Sequence, residues 1–253
     1  MVSGVLFDLS GVLYVGEQAV PGAVEALTKL QSAGVPHRFV TNVTRTPSGE
    51  LMRRLVALGF EVTPDNLFSA PIAARDYIKT RQLRPFMLIH PALEAEFRDI
   101  RQDPHDAVLL GDAGDGFSYR NLNQAFRLLM EGAPLLAMGN NRYFQEADGL
   151  SLDIGPFVAA LEYAAGTSAI ILGKPSDAFF AGAVESLGCP ASQVVMIGDD
   201  ALADVEGALL AGLQGILVQT GKYRPGDETQ IKRSGAVVLS DVTAAIDWIL
   251  TNR

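Results

Sequence analysis

The sequence has very little cysteine and no long hydrophobic run. Cys189 is the only cysteine among 253 residues, so the chain cannot close a disulfide within itself. This fits a reducing compartment, and we expect a cytoplasmic protein. No stretch approaches the ~18 apolar residues of a membrane-spanning helix. Nothing resembling a signal segment precedes the apolar run that begins at Val5. We therefore expect no membrane partner.

Positive charge is also scarce. The chain carries 20 Lys and Arg against 29 Asp and Glu, a net charge of −9 at pH 7. A negative excess of this size repels a phosphate backbone, so we expect no nucleic acid partner. A small anionic substrate is still compatible with this charge, because a bound metal ion and a lysine can reverse the sign locally. The three histidines, His37, His90 and His105, show no metal-ligand spacing.

Acidic residues end two of the apolar runs. Asp8 closes the run 5–7 shortly before a turn at Gly11, and Asp199 directly follows the run 194–198. A buried carboxylate costs several kcal/mol unless it is paired or bound to a cation. A cap or turn aspartate would be the simpler explanation if Asp8 stood alone.

Two further apolar runs end in polar residues. Thr41 and Asn42 follow the run 35–40, and Lys174 follows the run 169–173. Taken singly, Thr41 and Asn42 are typical of a turn, and Lys174 of a solvated loop. Parallel strands bring their carboxyl ends to one edge of the sheet, where ligands bind. Together these residues predict a site for a divalent cation and a phosphoryl group.

Strand and helix patterns alternate along the chain, which predicts an α/β fold with a Rossmann-like, doubly wound parallel sheet. We assign residues 1–80 and 173–253 to this core domain. The pattern restarts within residues 81–172, which we assign to an inserted α/β cap domain. The predicted helices include 71–80, 92–98, 119–130 and a segment near 204–211. Asn140 to Phe144 combines amides, a cation and aromatics; a surface loop of the cap is the simpler interpretation, and a part in selecting the substrate is the alternative.

The order of these motifs resembles that of the haloacid dehalogenase superfamily. Its pattern D-x-D-x-[TV], then Ser or Thr, then Lys, then G-D-x-x-x-x-D is matched here by Asp8 to Val12, Thr41, Lys174, and Gly198-Asp199 with Asp204. The long stretch between Thr41 and Lys174 is similar to the branch with a large α/β cap. In that branch, the resemblance implies a homodimer formed through the caps.

The resemblance implies the roles of the site residues. Asp8 would be the nucleophile that forms an aspartyl-phosphate, with Lys174 neutralising charge beside it. Asp8, the backbone carbonyl of Ser10, and Asp199 would bind Mg²⁺. Asp204 would lie behind the ligands and orient Lys174 or a water molecule, although helix capping is an alternative for it. The substrate's phosphoryl group would contact the following residues: Ser10, Thr41, Asn42 and Lys174.

Ser10 departs from the family pattern, in which an aspartate two residues after the nucleophile protonates the leaving oxygen. A serine has no proton that it readily gives at neutral pH. Pyrophosphate and N-phosphorylated lysine or histidine have leaving groups that need no strong acid. We therefore expect a Mg²⁺-dependent phosphatase for phosphoanhydride or phosphoramidate bonds, acting on a small phosphorylated substrate or a phosphoamino acid. The alternatives are a phosphatase for a sugar or cofactor phosphate and a catalytically weakened phosphate-binding protein.

Overall fold

The computed structural model describes residues 1–146 and 149–252. Its strands are β1 Gly4–Asp8, β2 Tyr14–Val15, β3 Gln18–Ala19, β4 His37–Thr41, β5 Leu67–Ser69, β6 Pro85–Leu88, β7 Ala107–Leu110, β8 Leu135–Ala137, β9 Tyr143–Glu146, β10 Gly149–Leu152, β11 Ile170–Ile171, β12 Val194–Gly198, β13 Gln214–Val218 and β14 Ala236–Leu239. Its α-helices are α1 Ala23–Ser32, α2 Ser48–Ala57, α3 Ala70–Arg81, α4 Tyr119–Met130, α5 Ile154–Ala165, α6 Asp177–Leu187, α7 Gly207–Leu210 and α8 Val242–Thr251.

The chain forms two compact units. The first contains Met1–Thr41, Ser48–Phe68 and Lys174–Arg253, and the second contains Asn42–Pro47 and Ser69–Gly173.

The first unit is built on a six-stranded sheet in the order β14-β13-β12-β1-β4-β5. The pairs from β14 to β4 are all parallel. Every residue of β1 is buried, as expected for a parallel strand covered on both faces. Strand order reverses at β1, with later strands added on either side. The predicted α/β class and doubly wound parallel sheet are confirmed, and a reversal of this kind is where such sheets bind ligands.

The second unit has its own four-stranded parallel sheet in the order β11-β8-β7-β6. Separately, β9 and β10 form an antiparallel pair. All four residues of β7 are buried, and α4 and α5 pack against each other beside this sheet. The predicted loop 140–144 is partly wrong, because β9 begins at Tyr143.

The boundary between the units differs from the predicted one. Residues 69–80 were assigned to the first domain, but α3 belongs to the second unit, where Ala70, Ala74 and Ile78 are buried in the core with Leu88 and Leu109. The short segment 42–47 also belongs to the second unit. Spacing along a helix shows which face is apolar but not which sheet covers that face, so the sequence could not assign α3.

Two predicted helices have a different geometry. Residues Pro91–Phe97 form a 3-10 helix rather than an α-helix. The helix expected near 204–211 begins earlier as a π-helical turn, Ala201–Glu206, and continues as α7. Among the described residues, no helix is both long enough and apolar enough to cross a membrane.

Candidate active site

Three of the predicted site residues lie at the carboxyl ends of adjacent strands. Asp8 is the last residue of β1, Thr41 is the last residue of β4, and Asp199 directly follows β12. The strand register explains why they meet. Asp8 is paired with Val40, one residue before Thr41, and Phe7 is paired with Ile197. Parallel pairing at this register brings the three strand ends to one level of the sheet edge.

Lys174 bridges two carboxylates of this cluster. Its Nζ lies 2.5 Å from Asp8 Oδ1 and 2.6 Å from Asp204 Oδ1. The Lys174 side chain is only 5% exposed. Burial by itself lowers the pKa of Lys174, but the charges of Asp204 and Asp8 outweigh it and the pKa is raised. Lys174 therefore remains an ammonium ion, and its burial excludes the solvated loop lysine that its position taken singly would indicate.

The carboxylates themselves are crowded. Burial, followed by the negative charge of Asp199, raises the pKa of Asp8, and Lys174 opposes this shift. Burial raises the pKa of Asp204 to about 6, with Asp8 adding to the effect against the pull of Lys174. One buried ammonium is too little positive charge for these carboxylates, so an additional cation would lower their electrostatic energy.

Asp199 is held by the backbone of the loop that follows β13. The N–H of Lys222 donates to Asp199 Oδ2 at 2.6 Å. Burial nevertheless raises the pKa of Asp199 to about 6, and the charge of Asp204 contributes. Two glycines leave room for this carboxylate. A Cβ at Gly11 would lie 1.9 Å from Asp199 Oδ2, and one at Gly221 would lie 2.1 Å from the same atom. Both have positive φ, 89° and 61°, so glycine is required on two grounds.

Asp204 reaches the site from the π-helical turn. Asp200 caps this turn by accepting hydrogen bonds from the N–H groups of Leu202 and Ala203, at 3.1 and 2.9 Å. The N–H of Val205 donates to the carbonyl of Asp200, which is the five-residue spacing of a π-helix. Asp204 Oδ2 accepts from the N–H of Asp200 at 3.2 Å, while its Oδ1 is bound to Lys174. Capping, which was an alternative for Asp204, is the function of Asp200.

The donor set of the cluster fits a hard divalent cation. Asp8, Asp199 and Asp204 each offer a carboxylate oxygen, and these atoms lie within 4.8 Å of one another. Oxygen ligands with net negative charge are those preferred by Mg²⁺. Asp8 and Asp199 would hold the ion, since one oxygen of Asp204 is taken by Lys174 and the other by a backbone N–H.

The other predicted site residues are Ser10, Thr41 and Asn42. Ser10 is exposed and forms an isolated bridge with Tyr14 at the base of the β2–β3 hairpin. Thr41 is buried, with 4% of its surface exposed. Asn42 belongs to the second unit, so its expected contact with substrate stays a prediction.

Sequence reasoning missed the contribution of the loop after β13. Besides the N–H of Lys222 on Asp199, the hydroxyl of Thr220 donates to the carbonyl of Gly11. The segment Gly221 to Pro225 belongs to none of the four sequence motifs. The sequence feature that could have indicated this loop is its position after a buried strand, at the same sheet edge as Asp8 and Asp199. Backbone donors leave no trace in residue type, so this role could not be read from the sequence.

Comparisons with known proteins identify the family. A model described as haloacid dehalogenase-like hydrolase matches residues 5–101, and a HAD-hydrolase-like model matches residues 171–245. The chain belongs to the haloacid dehalogenase-like hydrolase family and is an enzyme of that family.

The relatives are similar over nearly their full length. Haloacid dehalogenase-like hydrolase domain-containing protein 2 of Bos taurus is 45% identical over 249 residues, which are 98% of this chain and 96% of that protein. Phospholysine phosphohistidine inorganic pyrophosphate phosphatase of Homo sapiens is 41% identical over 257 residues, covering 98% and 94% of the two chains.

Solved structures share the fold. A 4-nitrophenylphosphatase from Thermotoga maritima superposes with a TM-score of 0.87 at 25% identity, covering 97% of each chain. NagD from E. coli K-12 has a TM-score of 0.85 at 23% identity, with 95% and 97% covered. The predicted membership of the large-cap branch is confirmed by these neighbours.

Proposed function

We propose that the chain is a Mg²⁺-dependent phosphatase that hydrolyses phosphoanhydride or phosphoramidate bonds through an aspartyl-phosphate on Asp8. The observation that carries the proposal is the buried arrangement in which Lys174 bridges Asp8 and Asp204 while Asp199 stands beside them. Such an arrangement provides an oxygen nucleophile, a fixed cation and carboxylate ligands at one sheet edge. Phosphoryl transfer needs little more than positioning and charge neutralisation.

The chemistry follows from these residues. A carboxylate oxygen of Asp8 attacks phosphorus, the bond from phosphorus to the leaving group breaks, and the leaving group takes its proton from solvent. Lys174 Nζ, next to Asp8, stabilises negative charge on the transferring phosphoryl group. Water then attacks the phosphorus of the aspartyl-phosphate, phosphate is released, and Asp8 is regenerated. Asp8 and Asp199 would hold a bound Mg²⁺, which would supply further charge neutralisation for phosphoryl transfer.

The substrate class follows from Ser10. A carboxylic acid at this position would protonate an alkoxide leaving group, but a serine hydroxyl is too weak an acid for this. Substrates whose leaving group departs as phosphate or as an amine protonated by solvent avoid this need. The human relative at 41% identity is named for pyrophosphate, phospholysine and phosphohistidine, which are substrates of this kind.

Two alternatives are weaker. A phosphatase for a sugar or cofactor phosphate would have to expel an alkoxide without the missing acid. A phosphate-binding protein without catalysis would not need the nucleophile, and Asp8 is retained next to Lys174. Thr41 and Ser10 are proposed to contact the transferred phosphoryl group, as is Asn42.

Two further proposals concern the setting of the enzyme. A cytoplasmic location fits Cys189, which is free and half-buried. A homodimer through the second unit fits the exposed apolar side chains of Tyr143, Leu150 and Leu152, which are 57%, 67% and 62% exposed.

A parallel assay tests the proposed function. Pyrophosphate, an N-phosphoramidate and an alkyl phosphate are each supplied with Mg²⁺ and with chelator, and kcat/KM is measured. We expect Mg²⁺-dependent turnover with the first two substrates to exceed that with the alkyl phosphate. Preference for the alkyl phosphate would favour the metabolite phosphatase, and binding without turnover of any of them would favour the phosphate-binding protein.

A further inference from the structure

Lys222 is a second lysine at the carboxylate cluster, and its side chain takes no part in the proposed phosphoryl transfer to Asp8. Its backbone N–H holds Asp199, while its Nζ extends to within 3.6 Å of Asp200 Oδ2. The Lys222 side chain is 74% exposed, whereas that of Lys174 is 5% exposed. One lysine is thus locked inside the cluster and the other stands at its solvent side.

The ammonium of Lys222 remains charged in the field of the whole cluster. Burial tends to lower the pKa of Lys222, but the carboxylates of Asp200, Asp199, Asp204 and Asp8 raise it overall. The position of the side chain follows from its contacts: the backbone N–H of Lys222 is bound to Asp199, and its Nζ lies 3.6 Å from Asp200 Oδ2, next to Asp199 in the chain.

The ion pair between Asp200 and the Lys222 ammonium is weak. Asp200 Oδ1 already accepts two backbone N–H groups as the cap of the π-helical turn. An ion pair at 3.6 Å between partly exposed side chains contributes little and is easily exchanged. Lys222 can therefore leave Asp200 for a stronger anion without leaving a buried charge unpaired.

We propose that Lys222 binds the second anionic group of the substrate, the phosphate that is not transferred, and so selects phosphoanhydrides over monoesters with uncharged leaving groups. This deepens the proposed function and rests on it for the position of the transferred phosphoryl group at Asp8. Lys174 is too enclosed to serve both phosphates. A further cation would stabilise the outer phosphate of a diphosphate bound at Asp8, and Lys222 is the exposed lysine adjoining Asp199. A charge-assisted hydrogen bond to phosphate gives the selectivity.

The test compares two substrates in three variants. Lys222→Met keeps the backbone N–H on Asp199 and removes only the charge, Lys222→Arg keeps the charge, and Lys29→Met removes an exposed lysine whose partner is Asp247. For each protein, kcat/KM is measured with pyrophosphate and with p-nitrophenyl phosphate. We expect the ratio of kcat/KM for pyrophosphate to kcat/KM for p-nitrophenyl phosphate to fall about tenfold or more in Lys222→Met. The ratio should recover largely in Lys222→Arg and match wild type in Lys29→Met. An equal loss on both substrates, or no loss, would overturn the proposal.

A binding measurement keeps this test independent of the proposed function. If the wild-type protein hydrolyses p-nitrophenyl phosphate but not pyrophosphate, the proposed substrate class is wrong. The inhibition constant of pyrophosphate against p-nitrophenyl phosphate then becomes the measurement, with orthophosphate as the comparison. A rise of about tenfold or more for pyrophosphate in Lys222→Met, without a matching rise for orthophosphate, would support Lys222 as the site of the outer phosphate. Equal shifts for the two anions would count against it.

Discussion

The Nζ of Lys174 lies 2.5 Å from Asp8 Oδ1, and the two side chains are 5% and 12% exposed. The strength of such a pair depends on its burial. Water screens an exposed pair, but a charge left without its partner in a buried site must be stabilised by the protein alone. Lys174 also holds Asp204, so its removal would leave two buried carboxylates without their cation.

Replacing Lys174 by Met should therefore destabilise the protein. In chelator at pH 7.5 we expect the free energy of unfolding to fall by about 3–5 kcal/mol, the usual result of breaking a buried pair. Lys29→Met, which breaks an exposed pair with Asp247, should cost less than about 1 kcal/mol. Urea unfolding of the two variants measures this. Equal losses would mean that Lys174 does not balance the buried carboxylates.

Asp8→Asn should abolish turnover and preserve the fold. The amide keeps the volume of the side chain but is a poor nucleophile, so kcat should fall by at least roughly 10³-fold. Because one of the crowded carboxylates becomes neutral, stability in chelator should be unchanged or higher. Circular dichroism and thermal unfolding provide the control. Near wild-type turnover in a folded Asp8→Asn protein would exclude covalent catalysis by this residue.

Removal of metal should eliminate activity, and Mg²⁺ should restore it, because Asp8 and Asp199 cannot face a phosphoryl group without a cation between them. Asp199→Ala should raise the Mg²⁺ concentration required for half-maximal activity. A second readout is the melting temperature, which Mg²⁺ should raise in wild type and raise less in Asp199→Ala. Full activity in chelator would contradict the metal site.

Ser10→Asp should shift the preference among leaving groups. If the missing acid limits the substrate range, the variant should gain on an alkyl phosphate more than on pyrophosphate, by up to the ~10²–10⁴-fold typical of general acids. Ser10→Asn is the matched control, because its side chain is nearly isosteric with that of Asp but has no acidic proton that it could transfer to a leaving group. The measurement is the ratio of kcat/KM values for the two substrates. A ratio unchanged in both variants would mean that Ser10 does not set this preference.

His37 should make stability depend on pH. It is buried at the start of β4, with Nδ1 3.2 Å from the carbonyl of Val35 and with the rings of Phe7 and Phe39 beside it. Burial lowers the pKa of His37 below 6.5. The unfolded chain then binds this proton more readily than the folded protein. The contribution of neutral His37 is thus complete above pH 6.5 and is lost as pH falls through 6.5 towards the lower folded pKa.

The His37 prediction has two measurements. The free energy of unfolding is followed between pH 7.5 and 5 in wild type and in His37→Asn, and the difference between the proteins should shrink as pH falls. Carboxylates whose pKa is raised give the opposite slope, but they are common to both proteins and cancel. An NMR titration should show the His37 ring titrating below the ordinary histidine value of 6.5. A constant difference in stability would contradict the prediction.

The sequence predicted those residues of the candidate site that lie at the ends of strands. Asp8, Thr41 and Asp199 each follow an apolar run, and parallel strands fix where such residues meet. Asp204 was predicted from the resemblance to the family motif that begins at Gly198. The π-helical turn that delivers it was not, because the turn depends on the cap that Asp200 provides and on packing against β12 and β13.

The parts that the sequence did not reveal depend on the backbone or on long-range packing. The N–H of Lys222 binds Asp199 whatever its side chain is. In the second unit, Asp112 reads as part of a glycine-rich acidic turn, yet it is buried and paired with Arg45, far away in sequence. Nothing in the spacing of either segment predicts that pair. The assignment of α3 to the second unit was missed for the same reason.

The π-helical turn Ala201–Glu206 sets the number of residues between Asp199 and Asp204. A hydrogen bond from residue i+5 to residue i encloses one residue more than the bond of an α-helix. Deleting Leu202, whose side chain is half exposed, would allow the same turn to close as an α-helix. The shortened chain would still carry an acid one turn after the cap, within reach of Lys174. We therefore expect the interval between the two aspartates to tolerate the loss of one residue, and a search for distant members of this family should accept both spacings.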